Sequence, residues 1–281
     1  MNYRHAYHAG NFADVLKHVV LARVLTYLKL KSAPFRVIDA HAGAGVYDLG
    51  GVEAGKTGEW RDGIARVLDA TAPQDVAELL APYIGAIRRL NPSGCLTTYP
   101  GSPLLSLELM RASDRLIANE LHAIDAAHLQ AALRGSANAK TTSMDAYLAL
   151  RAFLPPVERR GVVLIDPPFE EADEFARLAA GLEDGLAKFA TGVFVVWYPL
   201  KDRAAADAFR SRATDAAQRK FVDARLAISR PFAGLGLTES AVLVLNPPFT
   251  LESDLRRLLP WLSSALAEDE GAGWSLEVGE D

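Results

Sequence analysis

At 281 residues the chain is long enough to bury a full core, either as one α/β domain with an insertion or as two domains. Half of its residues are hydrophobic and 23% are charged, the balance of a folded soluble protein, and no apolar stretch approaches the roughly 20 residues of a membrane span. A net charge of -5 argues against a protein that coats nucleic acid through overall positive charge, and a single cysteine, Cys95, excludes an internal disulfide or a cysteine-based metal site. The opening Met1-Asn2-Tyr3-Arg4-His5 lacks the apolar core of a signal peptide, so a cytoplasmic protein without a membrane partner is the expectation.

The first predicted element is a helix over residues 12–28. Phe12, Val15, Leu16, Val19 and Val20 form its apolar stripe, with Asn11 as N-cap. Asp14, Lys17, His18 and Leu21 share the other side, and on spacing alone Lys17 and His18 read as an ordinary solvated face. A strand at 36–39 then runs into Asp39-Ala40-His41-Ala42-Gly43-Ala44-Gly45, where small residues let the backbone approach a ligand. The dinucleotide fingerprint G-x-G-x-x-G is broken by Asp48. A carboxylate there is unwelcome beside a pyrophosphate, which suits a cofactor without phosphates such as S-adenosylmethionine. Turn glycines of any α/β protein would look similar.

The next acidic strand end is abnormally distant. Glu120 lies about 80 residues beyond Asp39, where ~20 is usual for a nucleoside-binding unit. Two helical patterns, near 60–68 and 76–90, occupy the gap, and residues 50–98 read as a small helical insertion within a single domain spanning 1–281. Its Lys56, Arg61, Arg66, Arg88 and Arg89 are candidates for a basic surface.

Further strands are predicted at 116–120, 141–144, 162–165, 193–197, 222–228 and 241–245, alternating with helical patterns. Seven strands point to a doubly wound, mostly parallel sheet, whose ligands bind beyond the carboxyl ends of its strands. Asp39, Glu120, Asp145 and Asp166 deliver an acid at or near the end of four successive strands. Taken singly, Glu120 or Asp145 would be a helix cap or a surface carboxylate; as an array they suit a ligand rich in hydroxyl and amino donors.

Asp166-Pro167-Pro168-Phe169 is the most informative run. Two prolines fix φ and remove two backbone donors, leaving one carboxylate, free carbonyls and an aromatic face. That ledge suits a flat ring with an exocyclic amine, such as an adenine flipped out of a nucleic-acid strand, although a proline-rich strand-to-helix turn is the plainer alternative. Asn246-Pro247-Pro248-Phe249 imitates it. Asp166 ends the fourth strand, beside the first, whereas Asn246 ends the seventh, which runs antiparallel in the methyltransferase version of this sheet. Chemistry is therefore assigned to Asp166 and structure to Asn246. The residues 268–281 read as a frayed tail apart from Trp274.

These residues resemble the bacterial 23S ribosomal RNA adenine-N6 methyltransferase family RlmJ over nearly the whole chain. The resemblance rests on Tyr3-Arg4-His5, His8-Ala9-Gly10-Asn11, Ala13–His18 and His41–Gly45. It continues through Tyr99–Pro103, Glu120-Leu121-His122, Leu154-Pro155-Pro156, Leu164–Phe169, Trp197-Tyr198-Pro199 and Asn246-Pro247-Pro248. It implies a monomeric Rossmann-like class I methyltransferase with 23S rRNA as partner and S-adenosylmethionine as cofactor. His18, His41, Ser102, Glu120, Asp145, Ala146 and Asp166 are implied around the cofactor, and Asp166 as the catalytic carboxylate. Tyr3, His5, Lys17, Pro167 and Phe169 are implied on the substrate side. Ala146 stands where the family can carry Gly, and Phe169 where Tyr is common. No metal is expected, since the six histidines lack a matching carboxylate or cysteine pattern. A DNA adenine-N6 methylase shares the chemistry but not the opening motif. A nicotinamide dehydrogenase is disfavoured by the broken fingerprint, and a non-catalytic RNA-binding protein would not need the acid array.

Overall fold

The computed structural model describes residues 4–218, 220–230 and 236–279. Its main sheet is built around β1 (Arg36–Asp39), which pairs in parallel with β4 (Arg115–Asn119) on one side and β6 (Gly161–Ile165) on the other. Outward from β4 lies β5 (Ala139–Thr142), and outward from β6 lies β7 (Val193–Pro199), both parallel to their neighbours. β9 (Glu239–Leu245) then inserts antiparallel between β7 and β8 (Phe221–Ala227). With β10 (Gly273–Val278) outside β8, the order among the described residues is β10-β8-β9-β7-β6-β1-β4-β5, eight strands where seven were expected. The chain walks from β1 outward through β4 and β5, then returns to the other side of β1. That reversal puts the switch point between β1 and β6, where a crevice opens beyond their carboxyl ends.

The eighth strand corrects the expectation of a frayed tail. β10 (Gly273–Val278) pairs antiparallel with β8, Leu276 opposite Ala224. Trp274, Leu276 and Val278 alternate with Ser275 and Glu277, and none is buried, as an edge strand permits, so no continuous apolar run announces it.

Each central strand is apolar on both faces because both are covered. In β6, Val162 and Leu164 join one core while Val163 and Ile165 join the other. The first core receives α1 (Phe12–Leu28), α4 (Gln74–Leu90), α5 (Ser102–Leu109) and α10 (Leu251–Leu266). The second receives α7 (Ala146–Phe153), α8 (Glu174–Lys188) and α9 (Arg203–Ala216). α6 (Ala123–Ala132) follows β4 and contributes Leu129 to the first core.

α1 occupies the predicted span, and Asn11 caps it by accepting from Asp14 N at 2.9 Å. It packs against α4, α5, α10 and the sheet at once. Its polar side is consequently buried: Asp14 and His18 are 1% exposed and Lys17 4%, which overturns the reading of a solvated face.

Between β1 and β4 the chain forms the ribbon β2 (Val46–Asp48) with β3 (Thr98–Pro100), the short helices α2 (Val52–Thr57) and α3 (Arg66–Asp69), a π-turn over Arg61–Ala65, and α4. The π-turn presses on the start of α1. Ile64 N donates to Gly10 O at 2.8 Å, and a Cβ on Gly63 would stand 2.1 Å from that same oxygen. Glu59 accepts from Asn11 Nδ2 and meets His8 Nδ1, both at 3.0 Å. Of the arginines expected to form a basic surface, Arg66 pairs with Asp62 and Arg89 with Glu108, while Arg61 lies over the Trp60 ring.

Candidate active site

The carboxyl ends of β1, β4, β5 and β6 surround a cavity of about 230 Å³. His18, His41, Ser102, Glu120, Asp145 and Ala146 all line it, and so do Asp166, Pro167, His5 and Lys17. A neighbouring cavity of about 620 Å³ is lined by Phe169, Phe175 and Trp197. His5, Lys17, Asp166, Pro168 and Glu171 line both. Asp166 thus stands at the junction of the two spaces. Tyr3 lies outside the described residues.

Three devices hold the Asp166 ledge. Its backbone N–H donates to His41 Nδ1 at 3.2 Å. Burial pulls the His41 imidazole down to about 4, so the ring is neutral, and with Nδ1 accepting, its proton is on Nε2. The Asp166 carboxylate is ion-paired with the Lys17 ammonium, which is equally bound to Asp14 Oδ1 at 2.8 Å. Burial alone would lower Lys17, but Asp14 and Asp166 together outweigh it and raise the ammonium above its usual value. Phe169 adopts a positive φ of 49° and is half-buried, its ring 4.7 Å from Phe175 and edge-on to Trp197. Its contact with substrate would therefore be the part of its face turned to the larger cavity.

Asp14 is the residue that sequence reasoning did not promote. Its Oδ2 receives His5 Nε2 and Gly10 N, each at 2.9 Å, while its Oδ1 meets Lys17. Burial would raise this carboxyl, yet His5 and the Lys17 ammonium hold it well below the usual range. One buried carboxylate thereby positions two predicted substrate-side groups. Its position three residues before Lys17 on α1 was the available signal.

The acid array divides by environment. Asp39 is fully buried behind the cavity wall; its Oδ2 accepts from Ser102 Oγ at 2.6 Å, and burial pushes it up to about 7. Glu120 is 8% exposed, each oxygen taking one backbone donor, Gly43 N at 2.8 Å and His122 N at 2.7 Å. Burial raises it as well. Asp145 is the N-cap of α7, accepting from Tyr147 and Leu148 N–H, and its second oxygen pairs with Arg177 at 3.0 Å. The helix-cap reading and the cavity-lining reading of Asp145 therefore both apply.

The donor set fits S-adenosylmethionine. His18 lines the cavity, and its Nε2, on a neutral imidazole, is a buried polar atom with no partner among the described residues. It answers an ionic group of an amino-acid end. Glu120 keeps a free lone pair on each oxygen for a ribose diol. Gly101, which also lines the cavity, packs closely on the Gly45 backbone: a Cβ there would lie 3.0 Å from Gly45 O.

A family model described as "Ribosomal RNA large subunit methyltransferase D, RlmJ" matches residues 32–278. The chain belongs to the RlmJ family. It is 40% identical over 266 residues to the ribosomal RNA large subunit methyltransferase J of Escherichia coli K12, covering 95% of this chain and 94% of that one. It is 38% identical over 278 residues to the Haemophilus influenzae protein of the same name, covering 99% and 98%. The crystal structure of protein LPL1258 from Legionella pneumophila superposes with a TM-score of 0.89 at 32% identity, covering 97% of this chain and 98% of that one. The family match includes β1, the ribbon and helices between β1 and β4, and every later strand, and so most of the lining of both cavities, while His5, Lys17 and His18 precede it. This RlmJ-family chain is a methyltransferase.

Proposed function

We infer that this chain transfers a methyl group from S-adenosylmethionine to N6 of one adenine in 23S ribosomal RNA. The observation that carries the reading is Asp166 at the junction of two cavities, one suited to the methyl donor and one to a flipped-out base. In the smaller cavity Glu120 takes the ribose hydroxyls and Asp145 and Ala146 border the cofactor's adenine. His41 flanks the transfer point, and His18 and Ser102 meet the amino-acid end.

When bound, S-adenosylmethionine supplies an electrophilic methyl on a sulfonium. The protein's part is positioning and electrostatics. An aromatic amine is a weak nucleophile because its lone pair is delocalised into the ring. Asp166 and the Pro167 carbonyl accept its two N–H groups, which favours a pyramidal nitrogen and stabilises the positive charge growing on it. Lys17 holds the carboxylate in one orientation and His41 holds its backbone, so little reorganisation remains for the reaction itself. Phe169 offers the base a face from the larger cavity. His5 and Lys17, with Tyr3, bind and enclose the substrate.

We read the protein as a monomer of a single domain carrying residues 50–98 as an insertion. Its ribosomal RNA substrate implies action in the cytoplasm. Among the described residues no helix is long and apolar enough to cross a membrane.

The test uses purified protein, labelled S-adenosylmethionine and protein-free 23S rRNA from a strain lacking the enzyme, with duplex DNA in parallel. Digestion to nucleosides should yield labelled N6-methyladenosine from the RNA alone. Label only in DNA would overturn the substrate assignment in favour of a DNA adenine methylase.

A further inference from the structure

His18, Tyr99 and Tyr83 form a buried chain that runs from the smaller cavity into α4. Tyr99 Oη lies 2.8 Å from His18 Nδ1 and 2.9 Å from Tyr83 Oη, and the His18 and Tyr99 rings stack with centroids 5.5 Å apart. Both tyrosines are 0% exposed and His18 is 1% exposed. Burial pulls the imidazole down to about 3 and raises both phenols above their usual value, so all three groups are neutral.

Neutrality makes the protons countable. The imidazole carries one and each hydroxyl carries one, while the chain contains only two hydrogen bonds. One proton must point elsewhere. If His18 Nδ1 carried the imidazole proton and donated to Tyr99, a hydroxyl proton of Tyr99 or Tyr83 would be stranded in the core, where neither has another partner among the described residues. A buried hydroxyl without an acceptor is costly. If instead Tyr83 donates to Tyr99 and Tyr99 donates to Nδ1, every buried hydroxyl is satisfied. The remaining proton is then on Nε2, the one polar atom of the chain without a partner, on a residue that lines the cavity.

We propose that Tyr83 and Tyr99 are positioning residues that lock His18 in its Nε2–H tautomer, making it a neutral donor for the carboxylate of the cofactor's amino-acid end. This rests on the cofactor reading above. An N–H needs an acceptor, and of the two ionic groups at that end only the carboxylate accepts. The arrangement also gives α4 a part in methyl-donor recognition, since Tyr83 sits on that helix.

Two measurements test it. In full-length protein labelled with 15N-histidine, the His18 signal, identified by its loss in His18→Gln, should show an unprotonated Nδ1 and a protonated Nε2 from pH 5 to 8. A protonated Nδ1 overturns the tautomer. By calorimetry, Tyr99→Phe should bind S-adenosylmethionine about tenfold more weakly, and Tyr83→Phe about threefold. Both should bind decarboxylated S-adenosylmethionine within about twofold of the wild type. An equal loss for the two ligands, or no loss for either, overturns the carboxylate assignment. Failure of the wild type to bind S-adenosylmethionine would overturn the cofactor reading itself, while the tautomer would still stand or fall on the nitrogen spectrum.

Discussion

β6 and β9 both run out into a polar residue, two prolines and a phenylalanine, and they leave the sheet at opposite edges. β6 is parallel to β1, so Asp166 emerges at the switch point between two cavities. β9 is antiparallel to β7, so Asn246 emerges at the far edge. There Asn246 takes a positive φ of 51° and donates through Nδ2 to Ala190 O and Gly192 O at 2.8 and 2.9 Å, stitching a loop. The phenylalanines diverge likewise: Phe169 is half-buried between Phe175 and Trp197, while Phe249 is 81% exposed and touches the Tyr27 ring. The same local chemistry becomes a site or a staple according to the direction of the strand that delivers it.

The sharpest way to break this comparison is at the two polar residues. Asp166→Asn should lower turnover by about a thousandfold, since it removes charge stabilisation made in the transition state. Its affinity for S-adenosylmethionine should stay within about threefold by calorimetry, because the contact is with the amine. Normal turnover in that variant would dissolve the distinction between the two ledges.

Asp39, at the end of β1, should make stability depend on pH. Burial raises Asp39 to about 7 from 3.8. A raised acid contributes stability that is fully present below its unfolded pKa and is lost as pH rises through the folded one. Between pH 4 and 8 the wild type should therefore lose at most about 4 kcal/mol relative to Asp39→Asn, read from urea denaturation at each pH. A difference that does not change with pH would show that the Asp39 carboxyl does not change protonation over that range.

Smaller effects follow at the phenylalanines and at the staple. Phe169→Ala should cost about 2–3 kcal/mol through lost aromatic packing and raise the KM for RNA, measured by denaturation and by steady-state kinetics. Asn246→Ala should cost about 1–2 kcal/mol by removing donors from two carbonyls, with kcat unchanged at a temperature where it is folded. Phe249→Ala should change stability by less than about 0.5 kcal/mol, as for an exposed surface position. Catalytic loss in either variant of the far edge would overturn the assignment of structure to Asn246-Pro247-Pro248-Phe249.

Much of the site is legible because it is built from strand ends. Asp39, Glu120 and Asp166 follow apolar runs that become β1, β4 and β6, and the resemblance extends from the opening motif to Asn246. Less legible is what surrounds them. Tyr99 acts through a partner far along the chain, 81 residues from His18, and Tyr83 reaches His18 only through Tyr99. β10 escaped notice because Trp274, Leu276 and Val278 alternate singly with polar residues instead of forming an apolar run, and pairing with β8 is what makes it a strand.

By itself the sequence determined the alternation of strands and helices, the doubly wound class, the run of acids at strand ends and the family. Those properties reside in short-range periodicity and in motifs, which a linear reading can see. Tertiary structure alone decided that the polar side of α1 lies inside, since burial depends on what packs against a helix from every direction, and α4, α5, α10 and the sheet all do. It also decided that Lys17 grips Asp166 from 149 residues away. Such pairing follows from α1 and the end of β6 meeting in space, and no spacing along the chain encodes it.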